Sequence, residues 1–260
     1  MTPLHWTDCR PELEDRLSRV PRLLVASDFD GTLAPICPRP EEVALPAGAR
    51  SSLAKLAAQP GVRVAVLSGR ELANVMRLVD LPQIAYGGNH GLEIKGAGMD
   101  FIHPGALACR MELDEAAAQL RSKAGDLPGC LVEHKGLSLT VHYRNVEEKE
   151  RARVMEAVEA CAASHPTLVR RTGKMVVEFR PDVPWDKGTA LKRLMKGLGL
   201  PAAATLYMGD DATDEDAFSV LAGTGTSLHV GDNPATQARY RLRDPEDCAA
   251  FLSWLVSLRT

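Results

Sequence analysis

Short apolar runs alternate along the chain with longer segments in which apolar residues recur every three or four positions. The runs at 23–26 and 62–67 have the length and branching of buried strands. After the second run, Leu72, Val75 and Val79 lie on one face of a predicted helix. This alternation is typical of βαβ units. It predicts an α/β fold with a Rossmann-like core, a parallel sheet that carries helices on both faces.

The middle of the chain follows a different order. Helices and strands are predicted there in the order αββαββ, at 107–123, 130–133, 137–143, 146–164, 167–170 and 175–179. Hairpin-like turns within each strand pair indicate an antiparallel sheet covered by two helices. The βα order resumes with a helix from Lys187 and a strand at 204–208. We therefore expect a core of residues 1–104 and 182–260, interrupted by an inserted α+β domain at 105–181.

Composition and charge exclude several classes of protein. The 260 residues are 45% hydrophobic and 25% charged, as in ordinary soluble domains. The net charge of −3 gives no reason to expect nucleic acid or a membrane as a partner. Residues 1–20 lack the apolar core of a signal peptide, so we expect a cytoplasmic protein. The six scattered cysteines form no Cys-x-x-Cys pair, which argues against zinc and redox chemistry.

Two aspartates, Asp28 and Asp30, follow the first predicted strand and precede Gly31 and Thr32. Ligands bind beyond the carboxyl ends of strands in open α/β sheets. Paired carboxylates suit Mg²⁺, and one of them can also act as a nucleophile towards phosphorus. An Asp-rich turn with no catalytic role explains the same composition.

Three more polar clusters lie at predicted strand ends or helix starts: Ser68, Lys187, and Asp210 with Asp211 and Asp214. Each has a simpler explanation, namely a helix cap, a solvated lysine and acidic residues at the positive end of a helix. Together with the first pair they supply a nucleophile, a metal site and phosphate-binding groups. Phosphoryl transfer needs all three.

The four clusters, in this order, resemble the four motifs of the haloacid dehalogenase-like phosphatases. The resemblance implies that Asp28 becomes an aspartyl-phosphate and contributes to the Mg²⁺ site. Asp30 would donate a proton to the leaving group and then activate water, while its main-chain carbonyl binds Mg²⁺.

The same resemblance assigns the other clusters. Ser68 would bond the phosphate, and Lys187 would hold phosphate and nucleophile together. Asp210 would be a direct Mg²⁺ ligand. Asp214 would support the metal, although Asp211 stays open as an alternative for that position.

Longer matching segments narrow the resemblance to trehalose-6-phosphate phosphatases, over about residues 20–257. They are 28–33, 89–93 and 209–218, together with Glu133-x-Lys135, His142-Tyr143-Arg144 and Glu178-x-Arg180-Pro181. In that family an inserted cap closes on the disaccharide. The residues that by position would bind substrate are Thr32, Asn89, His90, Glu133, Lys135, Arg144 and Glu178.

Structural roles compete with some of these assignments. Glu133 and Lys135 have opposite charges and suit an exposed ion pair of little energetic value. Glu178 has Arg180 beside it as a structural partner, and His90 suits a solvated loop.

We interpret the chain as a Mg²⁺-dependent enzyme that hydrolyses trehalose 6-phosphate to trehalose and phosphate through an aspartyl-phosphate. A related capped phosphatase acting on sucrose phosphate, a mannosyl phosphate or a hexose phosphate stays open, because the core motifs read only phosphate and metal. A receiver-like signalling protein would be about half this length and would not need the insert or Asp30. A catalytically silent sugar-phosphate-binding protein would not need the full set of motifs. Association with the synthase of the same pathway is left undecided.

Overall fold

A computed structural model describes residues 3–37, 42–173 and 175–259. The chain divides into two compact units. We call Met1–Phe101 with Trp185–Thr260 the core unit, and Ile102–Pro184 the insert unit. The domain boundaries predicted from the sequence, at 105 and 181, lie inside the insert unit.

The core unit is built on a nine-stranded sheet. Its strands are β1 (Leu4–His5), β2 (Leu23–Ser27), β3 (Val62–Leu67), β4 (Ala85–Gly88), β5 (Glu93–Gly96), β6 (Met99–Ile102), β11 (Thr205–Gly209), β12 (Thr226–Val230) and β13 (Tyr240–Leu242). They lie in the order β1-β13-β12-β11-β2-β3-β4-β5-β6. Every pair from β1 to β4 is parallel, and β5 runs antiparallel to β4.

Strand β2 lies between β3 and β11, and all five of its residues are buried. Ser27 pairs with Val66 on one side and with Met208 on the other. The carboxyl ends of the three strands therefore lie along one edge of the sheet. Successive side chains of β2 enter different apolar clusters, Val25 on one face and Leu24 on the other. Burial on both faces explains why the strand sequence is continuously apolar.

Helices cover these two faces, which confirms the predicted α/β core. The helices of the core unit are α1 (Arg10–Ser18), α2 (Ala47–Ala58), α3 (Leu72–Val79), α7 (Lys187–Leu198), α8 (Glu215–Leu221) and α9 (Pro245–Arg259). Leu53 and Phe251 pack in the cluster that contains Val25. Leu191 and Phe218 pack in the cluster on the other face. Across the three described ranges, no helix is both long and apolar enough to cross a membrane.

The insert unit contains a separate four-stranded sheet with helices, as predicted. Its strands are β7 (Leu131–His134), β8 (Leu139–His142), β9 (Leu168–Gly173) and β10 (Val176–Pro181), and its helices are α4 (Pro104–Ala108), α5 (Arg110–Ala124) and α6 (Arg151–Ser164). The strand order is β7-β8-β10-β9, and all neighbouring pairs are antiparallel. Leu120, Val158 and Phe179 belong to a buried cluster of this unit.

Four short strands of the core sheet were not predicted, and for two of them the length explains the omission. Strand β1 has two residues and β13 has three, which is too short for a periodic pattern. Strands β5 and β6 are joined by a turn in which Gly96, Ala97 and Gly98 all have positive φ. That Gly-Ala-Gly sequence was the available signal for a hairpin.

Candidate active site

Three aspartates of the core unit bring carboxylate oxygens within 4.8 Å of one another: Asp28, Asp210 and Asp214. Asp28 comes directly after β2, and Asp210 comes directly after β11. Because β2 and β11 are neighbouring parallel strands, the two residues leave the sheet side by side. Asp28 is only 5% exposed, and Asp214 is fully buried. The sequence predicted that these polar clusters form one site, and the structure brings the three carboxylates together.

Lys187 supplies a buried positive charge to this cluster. Its Nζ lies 2.9 Å from Oδ1 of Asp28 and 2.7 Å from Oδ1 of Asp214. Lys187 is the first residue of α7, and the side chain of Asp186 caps the helix by accepting a hydrogen bond from the Thr189 N–H. The Lys187 side chain is 2% exposed. A solvated lysine at a helix start is therefore excluded.

Both oxygens of Asp214 are occupied by hydrogen-bond donors. Oδ1 accepts from Lys187 Nζ and from the Tyr207 hydroxyl, each at 2.7 Å. Oδ2 accepts from the backbone N–H groups of Asp210 and Asp211, at 3.1 and 3.0 Å. Asp214 thereby ties Lys187 to the loop that carries Asp210. Tyr207 lies inside an apolar strand, so no sequence pattern indicated that its hydroxyl takes part.

A tight turn brings the Asp28 segment against Asp210. Gly31 has φ +81°, and a Cβ at this position would lie 2.1 Å from Oδ2 of Asp210. Only glycine fits there, for both steric and conformational reasons. The hydroxyl of Thr32 donates to Oδ1 of Asp210 over 3.0 Å. The predicted substrate residue Thr32 therefore contacts the acidic cluster directly.

The electrostatics of the cluster follow from its burial. Burial raises the pKa of Asp28, although Lys187 partly offsets the effect. Burial and the charge of Asp214 raise the pKa of Asp210 to about 6. For Lys187, burial lowers the pKa, but Asp214 and Asp28 more than compensate and hold it above its ordinary value. Three carboxylates around one ammonium, with oxygen donors only, fit a hard divalent cation.

Asp30 lies outside this cluster because its side chain pairs with Arg70. Both carboxylate oxygens accept hydrogen bonds from the guanidinium, each at 2.7 Å. The sequence placed Arg70 at a strand end, in Ser68-Gly69-Arg70, but assigned it no function. Its position in the loop after β3 was the available signal.

Two turns lie against each other, one that contains Ser68 and one that contains Asn89 and His90. Ser68 is 1% exposed, and its Oγ accepts from the Arg70 N–H in the loop that precedes α3. The N-cap residue of α3 is Glu71, so the alternative prediction that Ser68 caps this helix is wrong. The His90 N–H donates to the Ser68 carbonyl over 2.8 Å. Asn89 is fully buried and donates to Glu93 Oε1 over 2.8 Å. Asn89 and His90 are therefore packed residues with positive φ, and neither belongs to a solvated loop.

In the insert unit, the strand register places Glu133, Thr140 and Glu178 in one row across β7, β8 and β10. Because side chains alternate along a strand, this row faces away from the buried Val141 and Phe179. We call this side of the sheet the polar face.

The polar face contains the charged residues that the resemblance assigned to substrate. Glu178 is 9% exposed and lies 3.8 Å from Lys135 Nζ and 2.5 Å from the Arg180 guanidinium. Glu133 pairs with the ring of His142 at 2.9 Å. The structural ion pair of Glu178 with Arg180 is thus present. Arg144 follows β8 and is exposed.

Comparison with known proteins identifies the family. The family model described as trehalose-phosphatase matches residues 26–246. The chain belongs to the trehalose-phosphatase family. A trehalose-phosphate phosphatase of Mycobacterium marinum is 42% identical over 246 residues, covering 92% of this chain and 62% of the relative. The chain therefore spans about three fifths of the length of the curated relatives it matches.

Solved structures agree with this membership of the trehalose-phosphatase family. A trehalose-6-phosphate phosphatase related protein has a TM-score of 0.79 and 26% identity, covering 90% of this chain and 97% of that protein. The C-terminal domain of C. albicans trehalose-6-phosphate phosphatase has a TM-score of 0.78, covering 99% of this chain and 98% of that domain. At 23% identity, the second likeness supports the fold alone.

The raised pKa of Asp210 predicts a pH-dependent effect on stability in the absence of metal. The folded protein keeps a proton on Asp210 that the unfolded chain releases, so stability falls as the pH rises from 3.8 to about 6. Asp210→Asn removes this charge and can keep the Thr32 hydrogen bond. In chelator, it should therefore raise Tm at pH 7.5 and change it little near pH 4. Thermal unfolding of the wild type, Asp210→Asn and the control Asp100→Asn, at an exposed aspartate of β6, tests this. An equal gain at both pH values would contradict it.

Proposed function

We propose that the chain hydrolyses trehalose 6-phosphate to trehalose and phosphate, with Asp28 as nucleophile and Mg²⁺ as cofactor. The observation that carries the proposal is the cluster of Asp28, Lys187, Asp210 and Asp214 at the carboxyl edge of the core sheet, in which all but the half-buried Asp210 are buried. Family membership supports the substrate. The oxygen-only donor set supports a hard cation.

Asp28 is oriented for covalent chemistry by its contact with Lys187. An oxygen of Asp28 attacks phosphorus, and the bond between phosphorus and the sugar oxygen breaks. Asp30 donates a proton to that leaving oxygen. Water then loses a proton to Asp30 and attacks the phosphorus, which breaks the Asp28–phosphorus bond and releases phosphate. The same residue serves as acid and then as base.

Lys187 and Ser68 hold the phosphoryl oxygens in this scheme. Lys187 is a buried cation next to the nucleophile, where its charge is screened little by water. The Ser68 hydroxyl oxygen accepts a hydrogen bond from the Arg70 N–H, which leaves the hydroxyl proton to donate to phosphate.

Asp28, Asp210 and the main-chain carbonyl of Asp30 are the proposed Mg²⁺ ligands. When bound, Mg²⁺ neutralises charge on the phosphoryl group. Asp214 has both oxygens occupied by donors, so we assign it the support of Lys187 and of the Asp210 loop, with contact to metal only through water.

The polar face of the insert unit is the proposed sugar-binding surface. Glu133, Lys135 and Glu178 offer charged acceptors and donors to sugar hydroxyls, and charge-assisted hydrogen bonds are the stronger kind. Thr32, Asn89, His90 and Arg144 are retained as proposed substrate residues from the family resemblance. Three further predictions stay predictions. They are a core of 1–104 and 182–260 with a cap at 105–181, a cytoplasmic location, and the lack of a nucleic-acid or membrane partner. Association with a synthase also stays open.

Phosphate release from a panel of sugar phosphates tests the proposed function. Trehalose 6-phosphate should be hydrolysed in Mg²⁺, and sucrose phosphate, mannose 6-phosphate and glucose 6-phosphate much more slowly. Chelation of the metal should abolish activity. Asp28→Asn should remain folded by circular dichroism yet lose turnover, because an amide is too weak a nucleophile. Preference for another sugar phosphate would move the chain to a related phosphatase, and no hydrolysis of any would favour a binding protein.

Substitution on the polar face separates sugar recognition from structural support. Glu178→Gln and Lys135→Met should reduce kcat/KM for trehalose 6-phosphate by about 10²-fold, because remote contacts orient the reacting phosphate. Hydrolysis of p-nitrophenyl phosphate, which lacks the sugar, should fall far less. The exposed Lys149→Met serves as the control in the same unit. Equal losses on both substrates would show that these residues stabilise the insert unit and do not recognise sugar.

A further inference from the structure

We propose that Arg70 is a positioning residue that fixes the carboxylate of Asp30 for its two proton transfers. The inference rests on the proposed function, in which Asp30 acts as acid and then as base. It adds a residue that the sequence did not assign and gives it a specific partner.

The contact between the two side chains is bidentate. Arg70 Nε donates to Oδ2 of Asp30, and a terminal guanidinium nitrogen donates to Oδ1, both over 2.7 Å. The Arg70 side chain is 13% exposed and that of Asp30 is 34% exposed. Paired, parallel hydrogen bonds of this kind fix the plane of a carboxylate as well as its position.

Arg70 is itself held at both ends. Its other terminal nitrogen donates to Oδ1 of Asn74 over 3.1 Å, and its guanidinium carbon lies 5.6 Å from the ring centroid of Phe29. Its backbone N–H donates to Ser68 Oγ, and its carbonyl accepts from the Asn89 N–H over 2.7 Å. The guanidinium is therefore a fixed support and not a mobile surface charge.

The two aspartates of the first motif are thus paired with two different cations. Lys187 contacts Asp28, and Arg70 contacts Asp30. Each oxygen of Asp30 is oriented by its own N–H donor, whereas the ammonium of Lys187 contacts Asp28 through Oδ1. The planar guanidinium, which donates two parallel hydrogen bonds, suits a carboxylate that must keep one orientation through two successive proton transfers. The ammonium of a lysine cannot reproduce this geometry. The pairing also keeps the acid-base group apart from the Asp28, Asp210 and Asp214 cluster.

Steady-state kinetics of Arg70→Gln and Arg70→Lys, with Arg77→Gln as the control, test the proposal. Arg77 is exposed on α3, the helix that follows the Arg70 loop. Arg70→Gln should lower kcat for trehalose 6-phosphate by about 10²-fold, the scale of a misplaced acid-base group. Arg70→Lys should lose somewhat less, and Arg77→Gln should match the wild type. KM and inhibition by inorganic phosphate should change less than about threefold, because Arg70 does not bind the phosphate.

Pre-steady-state kinetics with p-nitrophenyl phosphate give a readout that a structural role would not change. Nitrophenolate leaves without a proton, so the first step should stay fast in Arg70→Gln. Removal of the phosphoryl group from Asp28 should become slow, because its base is misplaced. The variant should therefore release a burst of about one nitrophenolate per active site before a slow steady rate.

A double-mutant cycle with Asp30→Asn completes the test. If Arg70 acts through Asp30, Arg70→Gln should slow the Asp30→Asn enzyme by less than about twofold. Additive losses, or a large rise in the inhibition constant of inorganic phosphate, would overturn the proposal and assign Arg70 to phosphate binding. Wild-type rates for both Arg70 variants would overturn it as well. If the wild type hydrolyses another sugar phosphate from the panel, the proposed substrate fails, and the same cycle is measured on that compound.

Discussion

Two buried carboxylates, Asp28 and Asp214, meet the buried ammonium of Lys187 at the carboxyl edge of the core sheet, with Asp210 beside them, and these charges organise the candidate active site. Lys187 contacts Asp28 and Asp214 at hydrogen-bond distance. Removing one partner of a buried ion pair leaves an uncompensated charge, which is strongly destabilising. Asp214 extends the network to Tyr207 and to the backbone of the Asp210 loop. Strands β2 and β11 and helix α7 are therefore joined by one set of charged contacts.

The network has more carboxylates than ammonium groups, and this excess of negative charge fits a bound cation. Asp210 has a pKa of about 6 because it is buried beside another carboxylate. Gly31 permits this approach, since any side chain at that position would occupy the space of the Asp210 carboxylate. Functional sites with such close like charges commonly lower the stability of the ligand-free protein.

Most of the fold was predictable because the core strands are buried on both faces and the helices carry one apolar stripe. The runs that became β2, β3 and β11 follow directly from this constraint. The hairpin of β5 and β6 and the two- and three-residue strands β1 and β13 were not predictable from periodicity, because strands of two to four residues are too short to show a period.

The site was predictable in its residue types but not in its contacts. Strand ends that share one sheet edge explain why Asp28 and Asp210 meet. The saturation of both Asp214 oxygens, the pairing of Asp30 with Arg70 and the hydrogen bond from Tyr207 depend on side-chain rotamers and loop turns. A one-dimensional pattern carries no information on these. The structural ion pair of Glu178 with Arg180 is present, whereas Ser68 does not cap α3 and its hydroxyl oxygen instead accepts from the Arg70 N–H. Both residues thus combine a structural contact with any role in catalysis.

The central claim is that the buried network presents Asp28 as the group that accepts the phosphoryl moiety. Acid quenching of the enzyme during turnover of trehalose 6-phosphate, followed by peptide mass spectrometry, tests it most directly. The account predicts one added phosphoryl group on the peptide that contains Asp28, located on that residue by fragmentation and absent from Asp28→Asn. A phosphoryl group on another residue, or turnover by Asp28→Asn at the wild-type rate, would contradict it.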